Sequence, residues 1–129
     1  MAVSKSSLSA GEIIHALLIA DSEVMARAKK VFPVVAEKAD LPYIWYRRTQ
    51  LEQDPTNGKR GADTVGIEVL CYTEAYTPGV ELAEAVRGVL DGAQGESDGI
   101  VMRSCCLVDS EEAWQDDAYV QQLVFKVKI

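Results

Sequence analysis

Histidine is the usual general base, and any acid–base or nucleophilic site of that kind in this chain would have to use His15, the only histidine. It stands between Ile14 and Ala16, inside a run whose apolar residues recur at helical spacing. There a histidine reads as an ordinary surface or boundary residue. A hydrolase built on His15 is the most remote reading, and loss of turnover in His15→Ala would be its signature. Cys71, Cys105 and Cys106 do not repeat at the short spacings of a zinc site. Three is an odd number, and bonding the adjacent pair would strain the backbone, so no disulfide framework is expected. They read as core thiols in a reducing compartment. Gly58-Lys59-Arg60-Gly61 lacks both a glycine five residues before Gly58 and a Ser or Thr after Lys59, so it is no phosphate loop. Asp109, Glu111, Glu112, Asp116 and Asp117 could offer oxygen to magnesium or calcium, but without the ligand spacing and central glycine of a calcium-binding loop. Nothing in the sequence places two carboxylates in one apolar cleft. The expected catalytic, cofactor and metal-ligand sets are therefore empty, and the expectation is that the protein is not an enzyme.

Two polar stretches remain as candidates for contact with other proteins. Glu52 to Asp63 holds Asp54-Pro55 and Asn57-Gly58, both turn formers, and presents Lys59 and Arg60. Asp109 to Asp117 groups its five carboxylates around Trp114. A large aromatic in a polar loop either folds back onto its own domain or anchors a partner, and in a lone protomer folding back is expected. The candidate interface residues are Lys59, Arg60, Glu111, Glu112, Trp114, Asp116 and Asp117.

The elements that must carry these loops follow from hydrophobic period. Ser9-Ala10-Gly11-Glu12 has the form of a capping box, and Ile13, Ile14, Leu17 and Leu18 then make one helical stripe. Asp21 and Ser22 restart the chain as a short helix to about Lys30, with Val24, Ala28 and Val31 on one side. Val31 to Val35 reads as a short extended piece around Pro33. Leu41-Pro42 excludes helix, and Tyr43 to about Gln50 is a strand rich in aromatic and β-branched residues. Thr64 to Tyr72 alternates, with Val65, Ile67, Val69 and Cys71 on one face, so one face is expected to be buried. Thr77-Pro78 looks like an N-cap followed by proline at the first helical position, and Leu82, Ala83, Val86 and Leu90 repeat as far as Asp91-Gly92. Gln94 to Gly99 reads as a loop and Ile100 to Val108 as a strand. Asp109 to Asp117 reads as a loop. Tyr119 to Ile129 alternates as a last strand. The fold class is thus α+β, a two-layer single domain over residues 1–129 in which an antiparallel sheet of about four main strands carries two main helices on one face.

The 129 residues, 48% of them hydrophobic, are enough for one real core. Ile13 to Ala20 is far shorter than the roughly 20 residues a bilayer crossing needs, and Met1 to Ala10 lacks the apolar segment of a signal peptide. No membrane association is expected, and the chain is expected to stay in the cytoplasm where it is made. With 13 Lys plus Arg against 20 Asp plus Glu the net charge is −7, which opposes sequence-specific nucleic-acid binding.

Several of these features occur in an order that resembles the tail completion family of long-tailed bacteriophages, which includes tail terminator and tail-to-head joining proteins. They are the amphipathic helix Ile13 to Ala20, Val31-Phe32-Pro33 and Leu41-Pro42-Tyr43-Ile44-Trp45-Tyr46. The strand Val65 to Tyr72 and the helix Glu81 to Val86 with Leu90 complete the set. The likeness spans nearly the whole chain, and the Leu-Pro-Tyr-Ile-x-Tyr stretch carries most of it. It implies a structural protomer, without cofactor, that assembles in the host cytoplasm into a ring, six copies being one stoichiometry. The ring would stand in the virion tail between the tail tube protein and the head-completion connector, with DNA passing through its bore. Ring closure through Lys59 and Arg60 against the acidic loop, and a negatively charged bore, are expected with it. The rival class is a small-ligand or regulatory α+β module, which a metabolite would stabilise by mass action.

Overall fold

The computed structural model describes residues 3–34, 39–53 and 63–129. A 3₁₀ turn at Ser7–Ser9 leads into α1 (Ala10–Ala20), followed by α2 (Ser22–Arg27), β1 (Lys30–Pro33), β2 (Tyr43–Glu52) and β3 (Thr64–Thr73). Then come α3 (Tyr76–Leu90), β4 (Gly95–Ser97), β5 (Ile100–Met102), β6 (Ser104–Gln115) and β7 (Ala118–Lys128). The main sheet has the order β1-β2-β3-β7-β6, and β4 and β5 form a separate two-stranded piece. The α+β class holds, but the sheet has five strands. The fifth, β1, lies parallel to β2 with Val31 opposite Ile44 and Phe32 opposite Trp45.

Helix α1 buries Ile13, Ile14 and Leu18 against the sheet, and α3 does the same with Leu82, Val86 and Leu90. The sheet answers with Ile44, Val65, Ile67, Val69, Cys71, Phe125 and Val127, all fully buried. In β3 and β7 these side chains sit at every second position, the period that puts them on one face. Asp21 caps α2 as expected, its carboxylate accepting from the Val24 amide at 3.0 Å.

The capping box at Ser9 does not form. The 3₁₀ turn already holds Ser9 at φ −94° and ψ 15°, its side chain makes no cap bond, and Glu12 is drawn to the Lys5 ammonium at 2.7 Å. Helix α2 stops at Arg27, short of Lys30, because Ala28 turns extended and Lys30 enters the parallel ladder. Helix α3 starts at Tyr76 with Ala75 as its N-cap, so Pro78 is third in the helix, where an amide hydrogen is still not needed.

The stretch Gln94 to Gly99 is not all loop. Gly95–Ser97 pairs with Ile100–Met102 around a tight turn in which Asp98 and Gly99 both have positive φ. The strand expected over Ile100 to Val108 is broken at Arg103 into β5 and β6. Nor is Asp109 to Asp117 a loop. Strand β6 runs on to Gln115 and pairs with β7 throughout, and only Asp116 and Asp117 form the turn, at φ 52° and 59°. Two successive positive φ angles are those of a two-residue hairpin turn, and aspartate tolerates them.

Strand β3 is covered on both faces, contrary to the expectation of one. On the face away from the helices Tyr72 is 6% exposed, packed with Ala118 and Val120 and flanked by Leu41, Tyr43, Trp45 and Leu70. The rings of Tyr43 and Tyr72 stack at 4.9 Å, inclined by 10°. Farther along that face Glu68, 7% exposed, accepts from Arg47 Nε at 2.8 Å and from the Gln122 side-chain amide. The ion pair and the amide bond compensate this carboxylate for its lost water.

Candidate interaction surface

Strand β6 forms an edge of the sheet, and most of it is exposed on both faces. Alternation along β6 distributes the acidic group. Asp109 and Glu111 stand opposite Val124 and Gln122 on the open face, while Glu112 and Trp114 stand opposite Gln121 and Tyr119 on the helix side. Asp116 and Asp117 make the tip. The residues expected to cluster in a loop are therefore spread over two faces and an end.

Helix α3 supports this hairpin from one side. The Tyr76 hydroxyl donates to the Glu112 carboxylate, at 2.9 Å to its nearer oxygen, and Gln121 Nε2 donates to the same carboxylate at 2.9 Å. These bonds, Gln121's first and then Tyr76's, hold the Glu112 carboxyl below its usual range. The Tyr76 phenol is pushed up in turn, because its proton is held by Glu112 and the carboxylate charge opposes its loss. The Tyr119 ring sits edge-on to Tyr76 at 5.9 Å and to Trp114 at 4.8 Å. Trp114 thus leans on its own hairpin but does not fold back into the domain, and stays 58% exposed. Among the described residues none of Asp109, Glu111, Glu112, Asp116 and Asp117 has a cationic partner. Lys59 and Arg60, their expected counterparts, lie outside the described residues.

The groups that could have carried chemistry serve packing. His15 stacks on Tyr46 with ring centres 5.8 Å apart. Cys71 and Cys105 are buried, and burial pushes both thiols up to about 12, away from the reactive thiolate. Cys106 alone is exposed. Among the described residues no three His, Cys, Asp or Glu side chains meet in an arrangement that could hold a metal ion, and no helix is long and apolar enough to cross a membrane.

The sequence reading missed Tyr76, Tyr119 and Gln121, which position Glu112 and Trp114. Tyr119 lies next in line to the last strand's alternation. Only the register that sets it across from Trp114 and beside α3 reveals its part.

The family model of tail completion protein gp17 matches residues 12–129, which include the three helices and seven strands of the described residues but for Ala10 and Gly11 at the start of α1. The chain belongs to the tail completion protein gp17 family. This tail completion protein is accordingly a structural phage protein. In fold it is similar to a chain from the virion of a native gene transfer agent particle. That likeness has a TM-score of 0.75 at 15% identity and covers 96% of this chain and 98% of the other. A sequence comparison with curated proteins finds no match.

Proposed function

We propose that this protein ends growth of the tail tube and forms the tail side of the head–tail junction, acting as a closed ring of identical copies. The observation that carries the reading is the family match over residues 12–129, which takes in the whole sheet with the acidic hairpin. The work of such a protein is done at surfaces. Its partners are further copies of itself, the tail tube protein on one side and the head-completion connector on the other. It assembles in the host cytoplasm, remains in the virion tail, and needs neither catalysis nor cofactor. The similarity in fold to a chain of a gene transfer agent virion supports a place in such a particle. A net charge of −7 suits a bore lined with negative charge, through which DNA slides without sticking.

Electron microscopy of the concentrated protein, with its mass fixed by light scattering, with and without magnesium, tests this directly. Uniform rings with an open bore are expected. A monomer at every concentration, also in the presence of tail tubes, would overturn the ring. Reversing Lys59 and Arg60 to Glu tests whether they, rather than another basic patch, face the acidic hairpin: weaker, salt-sensitive rings would favour that pairing, and unchanged assembly would retire it.

A further inference from the structure

Between the start of β2 and the first turns of α3 lies a groove of about 430 Å³. Leu41, Pro42, Ala75 and Pro78 give it an apolar wall, and Arg27 and Lys29 stand at its border. Arg27 is already engaged by Glu23 at 2.7 Å and Glu81 at 3.9 Å. Lys29 and its neighbour Lys30 are exposed and make no ion pair among the described residues. Glu74 is the remaining carboxylate on the rim.

The hairpin at the β6 edge of the sheet is the chemical complement of this groove, an exposed indole among five carboxylates that have no cationic partner among the described residues. Both patches lie at the same height along the strands. Leu41 and Pro42 come just before Tyr43, which pairs with Tyr72; the next residue, Thr73, pairs with Tyr119, and Tyr119 pairs with Trp114. The groove spans the ends of β2 and β3, two to three strand spacings, about 10–15 Å, from the β6 edge, with Lys29 and Lys30 on its β1 side. A head-to-tail contact repeated around a ring uses two different patches that recur on every copy, and the hairpin and the groove are two such patches.

We propose that the hairpin tip of one copy of this chain docks into the groove between β2 and α3 of the next, Trp114 resting on Leu41, Pro42 and Pro78 and the carboxylates facing Lys29 and Lys30. The inference rests on the ring reading above and names the surfaces that close the ring. Tryptophan in a desolvated pocket with charges at its rim is the usual composition of an interface anchor. The long-range attraction between the two edges favours the head-to-tail orientation and rejects contact of two acidic hairpins.

The test uses two reversed sets, Lys29→Glu with Lys30→Glu on the groove, and Glu111→Lys, Glu112→Lys, Asp116→Asn and Asp117→Asn on the hairpin. Asparagine keeps the left-handed turn available. Circular dichroism confirms that each set is folded, and native mass spectrometry counts copies. Wild type is expected as rings, while each set alone opposes like charges and assembles at least about tenfold more weakly. An equimolar mixture is expected to restore rings of alternating copies, because each set then meets opposite charge on both sides. Trp114→Ala is expected to melt as wild type does and to lose the ring. Rings formed equally well by either set alone, or by Trp114→Ala, would overturn this docking while leaving the ring reading in place. So would two folded sets that fail to rescue each other when wild type forms rings. A wild type that is never more than a monomer would overturn the ring reading and this inference with it.

Discussion

Burial makes the three cysteines chemically unequal. The thiolate is the attacking species, and loss of water around Cys71 and Cys105 raises both thiols to about 12, so at pH 8 both are neutral as well as shielded. Cys106, next in sequence to Cys105 but on the other side of an edge strand, faces solvent. A thiol reagent at pH 8 is expected to modify one cysteine per folded chain quickly, with the other two following only on unfolding. Peptide mass mapping should find the label on Cys106, and three equal rates would contradict the assigned burial. Neighbours in sequence thus differ in reactivity because a strand turns successive side chains to opposite faces.

At the scale of elements, helix α3 is packed on the sheet along one face and open to solvent on the other, and its two interior glycines measure the difference. A methyl group at Gly79 would stand 2.6 Å from Thr73 Oγ1, whose hydroxyl donates to the Ala75 carbonyl and whose side chain is buried. At Gly88 a methyl group meets nothing within 4 Å. Gly79→Ala is expected to destabilise by about 1–3 kcal/mol, since overpacking outweighs the gain in helix propensity. Gly88→Ala is expected to stabilise by roughly 0.5–1 kcal/mol by restricting the unfolded chain. Urea titrations of the two variants decide this, and effects of the same sign would mean that α3 is not seated as described. The close seating at Gly79 also brings Tyr76 to Glu112, so the packing that costs the helix a side chain steadies the hairpin.

At the scale of the molecule, charge is divided between the edges of the sheet, with Lys29 and Lys30 at the β1 edge and the carboxylates of the hairpin at the β6 edge. A protein stabilised by its own copies unfolds at a temperature that rises with protein concentration, whereas a ligand module responds to its ligand. A metabolite at a hundredfold excess over its dissociation constant would add about 2.7 kcal/mol. We expect the melting temperature to rise with concentration over two decades and to fall again in high salt; a melting temperature independent of both would count against assembly through charged edges. The stripes of α1 and α3 and the alternation of β3 and β7 were legible in the sequence because each of these elements turns one apolar row to the helix-side core, and burial is what periodicity records. Strand β6 was not legible beyond Val108. It is an edge strand with both faces in water, so no burial constrains its side chains to alternate, and its pairing comes from β7. The second apolar cluster around Tyr72 and the Glu68–Arg47 pair depend on register, which lies in the contact of two strands far apart in the chain. The sequence by itself determined the α+β class, the helix-side core and the kinship with tail completion proteins. Only the tertiary structure decided that five carboxylates and Trp114 stand on a paired hairpin at the β6 edge, and that an apolar groove lies across the ends of β2 and β3, because nonlocal strand pairing alone sets distance and direction.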